Sequence, residues 1–222
     1  MTRLKHENVV RCIGVCPEPL ALVTEFCSRG SVFDILHSDQ ELPWPRRLRM
    51  ARDAARGMAY LHDGAARGGP VIIHRDLKTL NLLVDSDWRV KVADFGLSRF
   101  LAPTASAAAA GSSSSSLLMT MAVGSYHWMS PQVIQGGRYS ESADVYSFGI
   151  VLWEILTRRT PYEGMQPVQV GIAVLQRGER IDPGVDADTL LETKKRYLRL
   201  AKRCWQTDPR NRPSFAAIAA AL

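Results

Sequence analysis

Asp76, Asn81 and Asp94 fall within one short stretch, Ile72 to Gly96, which reads IIHRDLKTLNLLVDSDWRVKVADFG. Two carboxylates and an amide offer oxygen ligands only. Such a set suits a hard cation such as Mg²⁺, which takes few protein ligands and keeps substrate phosphates in its shell. Separation along the chain is no obstacle if the residues between them form one rigid element.

The intervening sequence predicts that element. Two apolar runs, Leu82–Val84 and Val90–Ala93, flank the turn-rich Asp85-Ser86-Asp87-Trp88, a hairpin pattern that puts the three oxygen-bearing residues at its two ends. Upstream, Val9 to Val15 and Leu20 to Phe26 predict an antiparallel pair joined by a Pro-limited turn. Ser28 to His37 reads as a turn and a short helix. From Arg46 to His62, apolar residues recur at Leu48, Ala51, Ala54, Met58 and Leu61, helical spacing with arginines on the other, solvated face. Pro45 suits the first position of that helix. Ser140 to Thr157 is apolar almost all round, as a central buried helix is. Val168 to Gln176 and Leu190 to Trp205 predict two further helices. Ala102 to Ser116 is nearly all Ala and Ser, too poor in apolar surface to order itself.

His74-Arg75-Asp76-Leu77-Lys78-x-x-Asn81 followed by Asp94-Phe95-Gly96 resembles the catalytic loop and metal-binding motif of eukaryotic protein kinases. The resemblance covers essentially the whole chain. It implies an α+β, bilobal protein-kinase-like fold in truncated form: residues 1–27 a remnant of the small lobe (the end of a helix, the last two strands and the hinge), and residues 28–222 a mainly helical large lobe. Residues 102–116 become an insertion in the activation loop. ATP and Mg²⁺ are the implied cofactors and proteins the implied substrates. Asp94 and Asn81 would hold metal, Asp76 would orient the substrate hydroxyl and accept its proton, and Lys78 would neutralise charge on the transferred phosphate. Thr24 takes the gatekeeper position, Glu25 and Cys27 the hinge positions at the adenine edge, Ser31 the ribose position, and Leu83 the place beneath the adenine. Arg75 would await an activation-loop phosphate, with Thr120 and nearby serines as acceptors.

Leu117 to Ile134 resembles the end of an activation segment, Gly-Thr-x-x-Trp-Met-Ala-Pro-Glu, with Ser125 for the Thr, Ser130 for the Ala and Gln132 for the Glu. That glutamate normally pairs with a buried arginine, here Arg212, so the glutamine leaves a guanidinium charge uncompensated. Asp144 takes a family position that bonds the backbone of the catalytic loop. Lys78 with Gly124-Ser125 resembles serine/threonine-directed kinases, whereas Cys204-Trp205 and Asp144-Val-Tyr-Ser-Phe-Gly149 resemble tyrosine kinases. The mixture points to the tyrosine-kinase-like group, related to Raf and mixed-lineage kinases.

Composition excludes other classes. A net charge of +6 is modest, the lysines and arginines are scattered along the sequence, and no aromatic-interleaved basic stripe suggests nucleic acid. No apolar stretch approaches the roughly 20 residues of a membrane span, and a cytoplasmic location is expected. Cys12, Cys16, Cys27 and Cys204 complete no zinc pattern and read as reduced thiols. No oligomeric state is legible.

The glycine-rich phosphate loop, its strand lysine and the helix glutamate that pairs with it have no match in these residues. Met1 is therefore expected to be an internal methionine of a longer chain, and these 222 residues alone are expected to have little activity. A non-catalytic pseudokinase or scaffold is the alternative, opposed by the complete set Asp76, Lys78, Asn81 and Asp94. A small-molecule phosphotransferase is opposed by the peptide-positioning segment Gly124 to Gln132.

Overall fold

The computed structural model describes residues 4–64, 66–94, 99–101, 125–137, 139–182 and 191–222. The low-complexity segment 102–116, Thr120 and the Phe95-Gly96 pair lie outside these residues. Three two-stranded antiparallel sheets and a set of helices make an α+β architecture. Strands β1 (Cys12–Pro17) and β2 (Leu20–Thr24) pair in register from Cys12 opposite Thr24 to Pro17 opposite Leu20, with a bulge between Cys12 and Gly14. Strand β4 (Leu82–Val84) pairs with β5 (Val90–Val92), the hairpin expected from the sequence. Strand β3 (Val71–Ile73) pairs with β6 (Arg99–Leu101).

The first strand is shorter than its apolar run. Val9 and Val10 leave the β1–β2 ribbon and dock on β5, where Val10 N–H donates to Val92 O at 2.9 Å and Val92 N–H to Asn8 O at 2.9 Å. Burial drives the choice, since both valines are buried there. The ribbon itself stays open. Ile13, Val15, Leu20, Leu22, Val23 and Phe26 are all exposed, Leu20 and Phe26 to 84% and 87%.

Helix α1 (Val32–Leu36) follows the ribbon, and α2 (Trp44–His62) begins one residue before Pro45, which occupies its second position rather than its first. Then come α3 (Pro131–Ile134), α4 (Glu141–Thr157), α5 (Pro167–Gln176), α6 (Glu192–Cys204) and α7 (Phe215–Ala221). Among the described residues most of the core is one cluster in which α4 lies against α6, and α2 against α7 and β5. Helix α4 is buried on all sides, and Gly149 lets α6 come close: a Cβ there would lie 3.0 Å from Cys204 Cβ. No helix among the described residues is long and apolar enough to cross a membrane.

Gly57 allows the closest approach in this core. A Cβ at that position of α2 would collide with the Asn8 carbonyl oxygen and lie 2.8 Å from Val92 Cγ2. Backbone cannot yield as a side chain does, so Gly57→Ala is expected to cost about 2–3 kcal/mol in urea unfolding, despite alanine's better helix propensity.

Candidate active site

Asp144 lies near the N-terminus of α4 and is 1% exposed. Its Oδ2 accepts the His74 backbone N–H at 2.8 Å, and its Oδ1 accepts the Arg75 N–H at 2.9 Å. His62 Nε2, at the end of α2, lies 2.8 Å from the same Oδ2. Arg75 has φ +74°, a conformation rarely held by a residue with a side chain. Asp144 thus grips the main chain where the loop turns most sharply.

His74 fixes the next joint. Its Nε2 lies 2.8 Å from Ala93 O, and its Nδ1 accepts the Asp76 N–H at 3.3 Å. One tautomer, with hydrogen on Nε2, satisfies both contacts. The ring therefore ties the loop before the hairpin to the residue preceding Asp94. From the other side, Ala93 N–H donates to Asn81 O at 2.9 Å. Asp94 has φ +57° and is exposed.

The expected residues come together around Asp76. Lys78 Nζ is 2.8 Å from Asp76 Oδ2, and Asn81 Nδ2 donates to Asp76 O at 2.7 Å and to its Oδ2 at 3.0 Å. Asn81 so oriented turns its amide nitrogen to Asp76 and keeps Oδ1 as the end that can meet a cation. With the Asp94 carboxylate this is an oxygen donor set, which fits Mg²⁺. Among the described residues no three His, Cys, Asp or Glu side chains form a metal cage, so a cation here needs other oxygens, such as phosphate, to complete its shell.

The residues expected at the adenine edge lie where the ribbon meets the hairpin. Thr24 ends β2 and is exposed. Cys27, Val10 and Ala93 form a small buried cluster with Leu83 packed against it. Burial pushes the Cys27 thiol pKa up, with the Glu25 charge adding to it. Glu25 accepts the Arg11 N–H at 2.7 Å and lies 3.2 Å from Lys91 Nζ, a buried lysine also 4.0 Å from Asp85. The hairpin thereby holds the segment expected to be the hinge through a lysine the sequence did not single out. Ser31 sits opposite Leu83, but its hydroxyl caps α1: it donates to Asp34 Oδ2 at 2.7 Å and accepts the Asp34 N–H at 3.1 Å. The Arg75 guanidinium lies 4.6 Å from the Tyr139 ring centroid, and burial pushes that phenol's pKa up to about 12. Of Ser125 only the backbone is described, in the 3₁₀ turn Ser125–Trp128.

Glu154 was also not singled out. This α4 carboxylate is 0% exposed; it accepts Thr79 Oγ1–H at 2.8 Å and Trp128 Nε1–H at 2.8 Å. Thr79 lies beside Lys78, and Trp128 belongs to the segment expected to position peptide. One carboxylate therefore spans both. Burial pushes its pKa up to about 8 against the two hydrogen bonds. Its sequence signal is an acid within the apolar run Phe148–Leu156 in the second half of the helix.

Arg212 meets the expected Gln132, Nη2 to Oε1 at 2.8 Å. Carbonyls supply the rest: Gln206 O at 2.8 Å, Ser142 O at 2.9 Å and Thr207 O at 3.1 Å. Its guanidinium lies 5.1 Å from the Tyr146 ring centroid. Burial without a carboxylate in contact lowers the arginine's pKa to about 10. Ser130, buried where the family pattern has alanine, leaves its hydroxyl without a hydrogen-bond partner.

The protein tyrosine and serine/threonine kinase family model matches residues 1–222. A probable serine/threonine-protein kinase, drkD of Dictyostelium discoideum, is 43% identical over 221 residues, covering 98% of this chain and 15% of its own length. Serine/threonine-protein kinase STY46 of Arabidopsis thaliana is 41% identical over 221 residues, 98% of this chain and 34% of its own. Serine/threonine-protein kinase CTR1 of Arabidopsis thaliana is 40% identical over 223 residues, 98% of this chain and 25% of its own. The chain thus spans about a third or less of each of these relatives.

Glu154 gives a pH signature. Its folded-state pKa lies above the unfolded value, so the native state binds the extra proton, and this contribution to stability is lost as pH rises from about 4.5 to about 8. Glu154→Gln keeps an acceptor for Trp128 and a partner for Thr79 without titrating. Its unfolding free energy is expected to lack the fall seen in the wild type between pH 5 and about 8. Glu154→Leu, which leaves both donors unpaired, is expected to lose about 2–4 kcal/mol in chemical unfolding.

Proposed function

The chain belongs to the protein tyrosine and serine/threonine kinase family, in its tyrosine-kinase-like group, and we propose that it transfers the γ-phosphoryl group of ATP to serine and threonine hydroxyls of proteins. The observation that carries this reading is the Asp76 carboxylate, held between the Lys78 ammonium and the Asn81 amide on an anchored loop. Phosphoryl transfer asks for positioning and charge neutralisation more than for covalent chemistry.

In this reading Asp76 receives the hydroxyl of the substrate and takes its proton at a carboxylate oxygen. Lys78, 2.8 Å from Asp76, puts a fixed positive charge beside that hydroxyl, where the transferring group gathers negative charge. Asn81 keeps Asp76 from turning and, with Asp94, would hold Mg²⁺, which supplies charge neutralisation along the phosphates. The backbone of Glu25 and Cys27 meets the adenine edge, Thr24 guards its depth, Leu83 packs beneath it, and Ser31 lies toward the ribose. Residues 1–27 serve as the hinge side of the nucleotide site and 28–222 as the catalytic and peptide-binding side. Phosphate on Thr120, or near Ser125, would meet Arg75 and raise activity. The setting is the cytoplasm.

Protein isolated from its native cells, given γ-labelled ATP, magnesium and mixed proteins, is expected to label serine and threonine. Asp76→Asn is expected to lower the rate by about 100-fold or more. Label confined to tyrosine, or an unchanged rate in Asp76→Asn, would overturn the assignment.

A further inference from the structure

Five arginines lie on α2, and the fold divides them. Arg47 turns inward, its Nε 2.8 Å from Leu42 O and its Nη1 3.3 Å from Leu156 O. Arg46, Arg49, Arg52 and Arg56 recur at spacings of three, three and four, which puts them on one outer face. The β4–β5 turn extends that face. Val90 N–H donates to Asp53 Oδ2 at 3.3 Å, which brings the neighbouring, exposed Arg89 to the helix. The Arg29 and Arg46 guanidiniums both lie over Trp88, 4.4 and 4.1 Å from the ring centroid. Six arginines thus gather on one side of the molecule, beside the turn's own Asp85 and Asp87.

Arg52 and Arg56 feel the Asp53 charge without contacting it. None of the six lies within ion-pair distance of a carboxylate among the described residues, and the buried Arg52 Nε has no hydrogen-bond partner. The one acid of α2, Asp53, is buried against the hairpin. Two cations on a single indole repel each other, and a bound anion relieves that repulsion. We propose that this face docks an acidic segment of a partner protein.

The chemistry of the face selects among polyanions. Arg46 to Arg56 covers about 15 Å of helix axis, a length matched by three carboxylates on one side of an extended strand at about 7 Å spacing. Guanidiniums take carboxylates bidentately. Single-stranded nucleic acid asks for open aromatic faces, yet Trp88 already carries two guanidiniums, and Tyr60 stacks on His6 under Arg67. A membrane surface asks for apolar side chains to insert, and no large apolar residue described on α2 or in the β4–β5 turn is exposed.

Fluorescence anisotropy with a labelled oligoglutamate tests the proposal on the whole chain. Binding is expected, weakening as salt rises. The double reversal Arg49→Glu/Arg56→Glu is expected to weaken it by about tenfold or more, and the milder Arg49→Gln/Arg56→Gln to fall between. Arg196→Glu/Arg199→Glu changes net charge equally, but at residues near Glu192 on α6; it is expected to bind nearly as wild type does. Thermal melting checks that each variant is folded. Absence of binding, equal binding by Arg49→Glu/Arg56→Glu and wild type, or an equal loss in the α6 variant would overturn the proposal. So would tighter binding of an oligonucleotide or of phosphatidylserine vesicles at the same salt.

Discussion

One buried carboxylate holds the candidate catalytic loop in shape. Asp144 is enclosed and surrounded by the His74 and Arg75 N–H groups and the His62 ring. An isolated charge in such a place is prohibitive. With its donors in place the charge becomes a template, and losing one partner of a buried charge costs about 3–5 kcal/mol. The positive φ of Arg75 persists because Asp144 accepts its amide. From that point the geometry propagates in short steps: His74 to Ala93, Ala93 to Asn81, Asn81 to Asp76. The candidate catalytic groups are set by a chain of hydrogen bonds that starts in the core.

Two other buried polar groups show how the fold handles charge away from that loop. Glu154 has two donors and no cation in contact, and its proton affinity rises accordingly. Arg212 has four oxygen acceptors and no carboxylate in contact, and its proton affinity falls. In both cases hydrogen bonds take the place of an ion pair. Glutamine at position 132 is tolerated because backbone carbonyls at the end of α6 and the start of α4 already surround the guanidinium.

Much of this was legible in the sequence, for identifiable reasons. The β4–β5 hairpin and α2 follow from local pattern, α4 from its nearly unbroken apolar run, and the loop residues from the family resemblance that their motif carries. Asp144 and its backbone partners followed from the family resemblance; its contact with His62 did not, since nothing local links positions 62 and 144. The β3–β6 pair went unseen because three-residue strands are too short to carry a pattern. Val9 and Val10 look like strand β1 in sequence and join β5 instead, since apolar content does not say which surface will bury it. Lys91 fell inside the apolar run Val90–Ala93, and Glu154 inside an apolar helix. The arginines of α2 seemed alike until Arg47 turned inward and its neighbours gathered outward.

The docking of Val9 and Val10 on β5 has a consequence for synthesis on the ribosome. Asn8 Nδ2 donates to Val90 O across 82 residues of sequence, and neither valine has its burial site until the hairpin exists. At about 5–20 residues per second, the partner strand follows about 4 to 16 s later. Throughout that interval the β1–β2 ribbon and the segment before it are out of the tunnel with apolar side chains uncovered. The order in which a chain is made is here the reverse of the order in which its parts can settle. Codon choice between positions 10 and 90, and the holding chaperones that meet nascent chains, therefore bear on how much of the protein reaches its folded form.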